Sequence, residues 1–187
     1  MRVRQAGGDE VLAHRDGVRR TYAEAFAGPP WHEDPALAEG YVERLAEDAG
    51  RPGFTAALAL GGGGEGADAV VGFATAWTTP APFPTGRSYG VVAEALGPER
   101  TADWLVGAVE VNEVALSPHA RGTGLAAQLL EAVTGEAPNG RCWLLTSLRA
   151  EPAVRLYRRL GWRPVSGPAG TSDLVVFLGP RHPAPRA

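Results

Sequence analysis

At 187 residues the chain is long enough for one domain with a substantial core and too short for two ordinary ones. Its 44% hydrophobic and 21% charged residues and its net charge of -3 are those of a globular protein, and nothing in them suggests a polyanion-binding surface, so no nucleic-acid partner is expected. The single cysteine, Cys142, excludes an internal disulfide, and with only His14, His32, His119 and His182 beside it in the sequence no metal site is expected.

In chain order, a short strand is expected around Val3. From Asp9 to Phe26 the apolar positions Val11, Leu12, Val18, Tyr22 and Phe26 recur at helical spacing, and Gly28-Pro29-Pro30 closes this first helix. Asp34 as a cap, with Pro35 in the first turn, opens a second helix that carries Leu37, Tyr41, Val42 and Leu45 on one side and ends near Gly50. Phe54 to Leu60 and Ala69 to Trp77 predict two strands joined by the glycine run Gly61 to Gly64 with Gly66. A β-branched strand follows that run where a phosphate loop should open a helix, so it is read as a hairpin connection.

Thr78 to Asp103, broken by Pro80, Pro82 and Pro84, predicts an insertion or mobile lip with a helical piece near Val91 to Leu96. A strand from Ala108 to Leu116, a helix from Gly124 to about Glu136, a strand from Cys142 to Leu148 and a helix from Glu151 to Leu160 follow. Strands near Arg163 to Val165 and Asp173 to Leu178 complete the order. The alternation is that of an α/β chain, with a single domain over residues 1–179 and a disordered tail from Pro180 to Ala187. The N-terminus lacks a signal-like apolar stretch and no run approaches the roughly 20 apolar residues of a membrane helix. A cytoplasmic, membrane-free protein is therefore expected.

The stretch richest in chemistry runs Leu116-Ser117-Pro118-His119-Ala120-Arg121-Gly122-Thr123-Gly124-Leu125-Ala126. A glycine-bearing turn that opens a helix aims several backbone N–H groups at one spot, where the helix dipole also favours negative charge. A phosphate is the matching guest. Gly122 and Gly124 let backbone approach the anion, Ala126 keeps the first turn open, and Arg121 either adds a charge-assisted hydrogen bond or braces the loop.

Arg121-x-x-Gly124-x-Ala126 after Leu116-x-Pro118 resembles the pyrophosphate loop of the GCN5-related N-acetyltransferase (GNAT) family, written Q/R-x-x-G-x-G/A. Ala153-x-x-Leu156-Tyr157-x-x-Leu160-Gly161-Trp162 resembles that family's later motif, a helix bearing a tyrosine and ending in Leu-Gly-aromatic. One departure is Ala150, which stands where the family often has a coenzyme-contacting asparagine. The resemblance implies a mixed, mostly antiparallel central sheet of six to seven strands, flanked by about four helices, with a splayed strand pair admitting acyl-CoA.

It further implies acetyl-CoA as co-substrate, held by the backbone of Val114, Ala115 and Leu116 and by the loop Arg121, Gly122, Thr123, Gly124, Leu125 and Ala126. The Val114 N–H would face the thioester oxygen, and Tyr157 is the implied acid for the departing thiolate. Glu110 and Glu113 are both candidates for the base, the family position slightly favouring Glu110, and in a regular strand they face opposite sides. Water relay is the third possibility. The lips of the acceptor cleft are expected at Trp31, His32 and Glu33, suited to a cationic amine, and at Trp77.

The expected activity is acetyl transfer to a primary amine of a small molecule or peptide by a monomer or homodimer. The alternative is a degenerate, non-catalytic acyl-CoA sensor. A dinucleotide-binding oxidoreductase fits less well, because the next strand ends in Leu148-Arg149 and not in an acidic residue.

Overall fold

The computed structural model describes residues 1–61, 69–168 and 172–185. The strands are β1 (Arg2–Ala6), β2 (Thr55–Leu60), β3 (Val70–Thr78), β4 (Val109–Leu116), β5 (Cys142–Ser147), β6 (Arg163–Pro164) and β7 (Leu174–Leu178), and they form a seven-stranded mixed sheet in the order β1-β2-β3-β4-β5-β7-β6. The α-helical segments are α1 (Gly8–Ala13), α2 (Arg15–Phe26), α3 (Leu37–Asp48), α4 (Tyr89–Leu96), α5 (Pro98–Arg100), α6 (Leu125–Thr134) and α7 (Glu151–Arg159). Among the described residues this is more than the four or so helices expected, because the first predicted helix is split and the proline-rich stretch is helical. The predicted glycine connection between β2 and β3 lies largely in residues 62–68, outside the described residues. No helix among the described residues is long and apolar enough to cross a membrane.

The chain divides into two compact units, Met1–Trp77 with Glu113–Gly135 and Thr78–Asn112 with Glu136–Ala187. In the first, β1 pairs antiparallel with β2 from Arg2↔Leu60 to Ala6↔Ala56, and β2 pairs antiparallel with β3. Strand β1 lies at the edge of the sheet and exposes Arg2 and Arg4, whose charges discourage pairing with a stray strand. The burial of Val18, Thr21, Tyr22 and Ala25 on α2, and of Ala38, Tyr41, Val42 and Leu45 on α3, follows one helical stripe each. These stripes share a core with Leu58, Val70 and Phe73 of the sheet. Helix α6 packs on β1 and β2 and buries Leu125, Leu129, Leu130 and Val133.

The predicted first helix is interrupted at His14, which leaves helical geometry (φ -99, ψ 15), so that α1 and α2 each turn a fully buried valine, Val11 and Val18, into the core. Gly72 on β3 is required by close approach, since a Cβ there would overlap the Leu116 side chain.

In the second unit β4 and β5 pair in parallel from Val109↔Cys142 to Val111↔Leu144, β5 pairs antiparallel with β7, and β6 with β7. The stretch expected as an insertion or lip is built into this core instead. Tyr89, Val92 and Leu96 of α4 and Leu105, at the end of a π-helical turn (Thr101–Leu105), are buried with Trp143, Val176 and Leu178. The Trp143 indole N–H donates to Thr79 Oγ1 at 2.8 Å, which satisfies a polar group buried among those apolar side chains.

The segment expected as a free tail is tied down over its described part. Arg163 donates to the carbonyls of Ala184 and Pro185, and His182 is 7% exposed. His182 Nδ1 accepts from the Ala184 N–H at 3.1 Å, so Nε2 must carry the proton and donate to the Trp104 carbonyl at 2.9 Å. Burial, with help from the Arg141 and Arg163 charges, lowers the His182 pKa below its ordinary 6.5.

The native ring therefore stays neutral where the unfolded chain takes up a proton, so its contribution to stability is complete above pH 6.5 and is lost as pH falls below that value. Thermal melts across this range should show the loss in the wild type and a flatter profile in His182→Gln, whose baseline stability is lower by about 1 kcal/mol for a lost hydrogen bond.

Candidate active site

Strand β4 ends at Leu116, and the Ser117 N–H still donates to the Val71 carbonyl at 2.9 Å, which fixes where the chain leaves the sheet. A single 3₁₀ turn, Pro118–Ala120, leads into the glycine loop. Gly122 (φ 76) and Gly124 (φ 84) are both left-handed, a conformation that costs an L-residue about 1–2 kcal/mol. A Cβ at either position would meet nothing within 4 Å, so backbone geometry and not crowding calls for glycine here.

Gly124 is the N-cap of α6, and no side chain caps that end. Arg121, Gly122, Thr123 and Gly124 are exposed, while Leu125 is buried and anchors the helix. The Thr123 hydroxyl donates to the Ala120 carbonyl at 2.6 Å, and the Arg121 guanidinium donates to the Ala25 carbonyl near the end of α2 at 2.9 Å. Arg121 thus braces the loop against α2. The result is an exposed, pre-formed turn at an uncapped helix N-terminus, the arrangement that binds anionic oxygens through backbone N–H groups. His119 is exposed beside it.

The two strand glutamates have different neighbours. Glu110 is 8% exposed and accepts from the Tyr89 hydroxyl at 2.7 Å, within the second unit. Glu113 belongs to the first unit, where its Oε1 accepts from the Val114 N–H at 3.2 Å. That amide is the one expected to face a thioester oxygen. Although Glu113 keeps partial exposure, burial of its carboxyl pushes the pKa up to about 8; the Glu33 charge pushes the same way, while the Val114 N–H and Arg44 oppose it.

Glu33 accepts from the Tyr22 hydroxyl at 2.9 Å. The Tyr22 pKa is raised by burial and by the charges of Glu113 and Glu33. Tyr22 in turn stacks on Tyr41 at 4.5 Å between ring centroids and lies 4.6 Å from Phe26, which meets Trp31 at 6.1 Å. The sequence reading missed Tyr22, Tyr41 and Arg44 as part of this group. Both tyrosines read there as core positions of their helices, and their hydroxyls were the one signal that they do more.

The loop that carries Trp31, His32 and Glu33 is closed by the Glu33 N–H donating to the Phe26 carbonyl at 3.0 Å, and His32 takes a left-handed φ of 48. Trp31 is 37% exposed. Trp77, expected at a lip of the acceptor cleft, is fully buried with the Arg51 guanidinium 4.7 Å from its ring centroid; it is a core residue, because β3 is covered along nearly its whole length. Tyr157 lies on α7 in the second unit, 8% exposed, with its ring 6.1 Å from Trp162 and 6.0 Å from Phe177. Ala150, at the expected asparagine position, is the buried N-cap of α7. Among the described residues no cluster suited to a metal ion occurs.

Comparison with known proteins follows the same lines. Residues 64–164 match the family model described as an acetyltransferase (GNAT) domain. No curated protein sequence matches. Among solved structures, PH1933 from Pyrococcus horikoshii OT3 is similar with a TM-score of 0.61 and 14% identity over 95% of this chain and 98% of its own.

NAA60 of Arabidopsis thaliana, in complex with acetyl-CoA, has a TM-score of 0.58 and 15% identity, covering 95% of this chain and 96% of its own. Ribosomal-protein-alanine N-acetyltransferase from Brucella melitensis has a TM-score of 0.56 and 18% identity over 95% and 98%. At these identities the neighbours speak to the fold. The family match covers more than half of the chain, so this protein belongs to the GNAT acetyltransferase domain family.

Proposed function

We propose that the protein transfers the acetyl group of acetyl-CoA to a primary amine of a small molecule or peptide, with residues 1–179 acting as one acyltransferase domain. The observation that carries this reading is the exposed loop of left-handed glycines at the uncapped start of α6, because it offers several N–H donors to a pyrophosphate with no side chain in the way. Arg121, Gly122, Thr123, Gly124, Leu125 and Ala126 hold that anion. The backbone of Val114, Ala115 and Leu116 holds the pantetheine arm in the manner of an added strand. Acetyl-CoA supplies an activated thioester, and the remaining work falls to the chain's own groups.

Glu113 is favoured over Glu110 as the base, since Glu110 already holds the Tyr89 hydroxyl. The bond from the Val114 N–H to Glu113 is long at 3.2 Å, and the carboxyl leaves it when the amide turns to the thioester oxygen. That exchange frees Glu113 to take a proton from the ammonium form of the acceptor. The neutral amine then attacks the thioester carbon, the C–S bond breaks, Tyr157 gives its proton to the leaving sulfur, and the second proton lost from the nitrogen as the amide forms returns through water to the Tyr157 phenolate. A phenol is protonated at neutral pH and suits that role.

The test is thiol release from acetyl-CoA with a panel of primary amines. Turnover in the wild type and a fall of about 10–100-fold in Tyr157→Phe, with unchanged CoA affinity, is the expected result. Tight CoA binding without turnover on any amine would instead identify a non-catalytic acyl-CoA sensor.

A further inference from the structure

Helix α2 ends on two carbonyls that the helix itself cannot satisfy. The helical donors for Ala25 and Phe26 would be the N–H groups of residues 29 and 30, and both of these are prolines. No glycine in left-handed conformation closes the helix: its C-cap, Ala27, is right-handed with φ -63, and its last turn carries no basic residue.

The two carbonyls are taken instead by donors from two different loops. Arg121 of the glycine loop donates a guanidinium N–H to the Ala25 carbonyl at 2.9 Å, across 96 positions of sequence. Glu33 donates its backbone N–H to the Phe26 carbonyl at 3.0 Å. The Arg121 bond is partly buried, so the carbonyl would lose by being left open, and a cation at the negative end of a helix is favoured by the helix dipole as well. Glu33 is held a second time, by the Tyr22 hydroxyl one turn back on α2, at 2.9 Å. All of these residues lie in the first unit.

One helix end thus supports the glycine loop on one carbonyl and the loop of Trp31, His32 and Glu33 on the next. We propose that Arg121 is a positioning residue for the acceptor: by capping α2 from a distant part of the chain, it holds the Trp31–Glu33 loop in the form that receives the amine. This rests on the acyl-transfer reading and adds to it a determinant of acceptor binding. A guanidinium carries several N–H donors, so the bond to Ala25 leaves others for the anion. Without that bond the last turn of α2 frays from Ala25 onward, and the neighbouring bond from Glu33 to Phe26 slackens with it.

Amide hydrogen exchange of the protein without CoA, followed by NMR in Arg121→Ala and Arg121→Lys, tests the link. In the alanine variant the amides of Ala27, His32 and Glu33 should exchange about tenfold faster, while those of Val42 and Leu45 on α3 keep their wild-type rates. Lysine keeps a cation and a donor for this single bond, and should restore most of the protection. At saturating acetyl-CoA, which removes any effect on cofactor affinity, the KM of the amine should rise about tenfold in Arg121→Ala with kcat within about threefold, and should return in Arg121→Lys.

Unchanged exchange at His32 and Glu33 in the alanine variant, an acceleration that includes α3 to the same degree, or an amine KM that stays at the wild-type value would overturn the inference. Failure of the acyl-transfer reading shows separately, as absence of thiol release with every amine. In that case the exchange rates still decide whether Arg121 holds the loop.

Discussion

Glu113→Gln is expected to lower kcat by about a hundredfold or more while leaving CoA affinity as it was, because a positioned base contributes roughly 10²–10⁴ in rate. The pH dependence is the sharper readout. With the Glu113 pKa pushed up to about 8 by burial, the wild-type kcat/KM should rise through that value on its acidic side. The variant should lose this limb and keep only the titration of the amine. The same substitution in Glu110 separates the two glutamates; if it removes the limb and Glu113→Gln does not, the assignment of the base is wrong.

Stability should move in the opposite direction. A carboxyl whose folded pKa is raised holds its proton in the native state up to about pH 8, whereas the unfolded chain releases it near 4.5. The contribution is fully present below pH 4.5 and is lost as pH rises through 8, where native Glu113 must ionise in a poorly solvated place. Glutamine resembles the neutral form. Glu113→Gln should therefore melt higher than the wild type at pH 9 by about 5–10 °C, for a relief on the order of 3 kcal/mol. A carboxylate kept at such a cost is what a working group, and not a packing residue, would explain.

Gly124→Ala carries the second large effect. The left-handed φ of 84 strains any L-residue there by about 1–2 kcal/mol, and the new methyl group stands in the open space over the loop. Relaxation of that strain turns the first N–H groups of α6 away from their common focus. CoA affinity is expected to fall by about 10–100-fold, as for the loss of one or two charge-assisted hydrogen bonds.

Gly97→Ala is the stability control, since Gly97 belongs to the second unit and has a positive φ (77) with nothing near a Cβ, and its ψ of 162 puts it in a region still less open to an L-residue. It should lower the melting temperature at least as much and leave CoA affinity untouched. Equal affinity losses in both variants would mean that the loop acts through stability alone.

The order of strands and helices, the loop after Leu116 and the membership in an acetyltransferase family were all legible in the sequence. These features are local: side-chain periodicity marks a helix or strand within a few turns, and a glycine with positive φ marks a helix entrance without help from distant residues. The splitting of the first helix at His14 and the burial of the helical run after Tyr89 were not legible, because both are set by which core each valine, leucine or tyrosine finally enters.

The chemistry of Glu113 was decided only by the tertiary structure. Strand alternation says that Glu110 and Glu113 face apart, but not that one meets Tyr89 and the other comes under the influence of Glu33 and Arg44, far away in the chain. Arg121 likewise reads as an anion ligand or a loop brace, and the brace shows only when Ala25 supplies its carbonyl, while Trp77 reads as a cleft wall until β3 is covered. A proton's affinity and a side chain's hydrogen-bond partner depend on what folding brings within a few ångströms, which no spacing in a single sequence specifies.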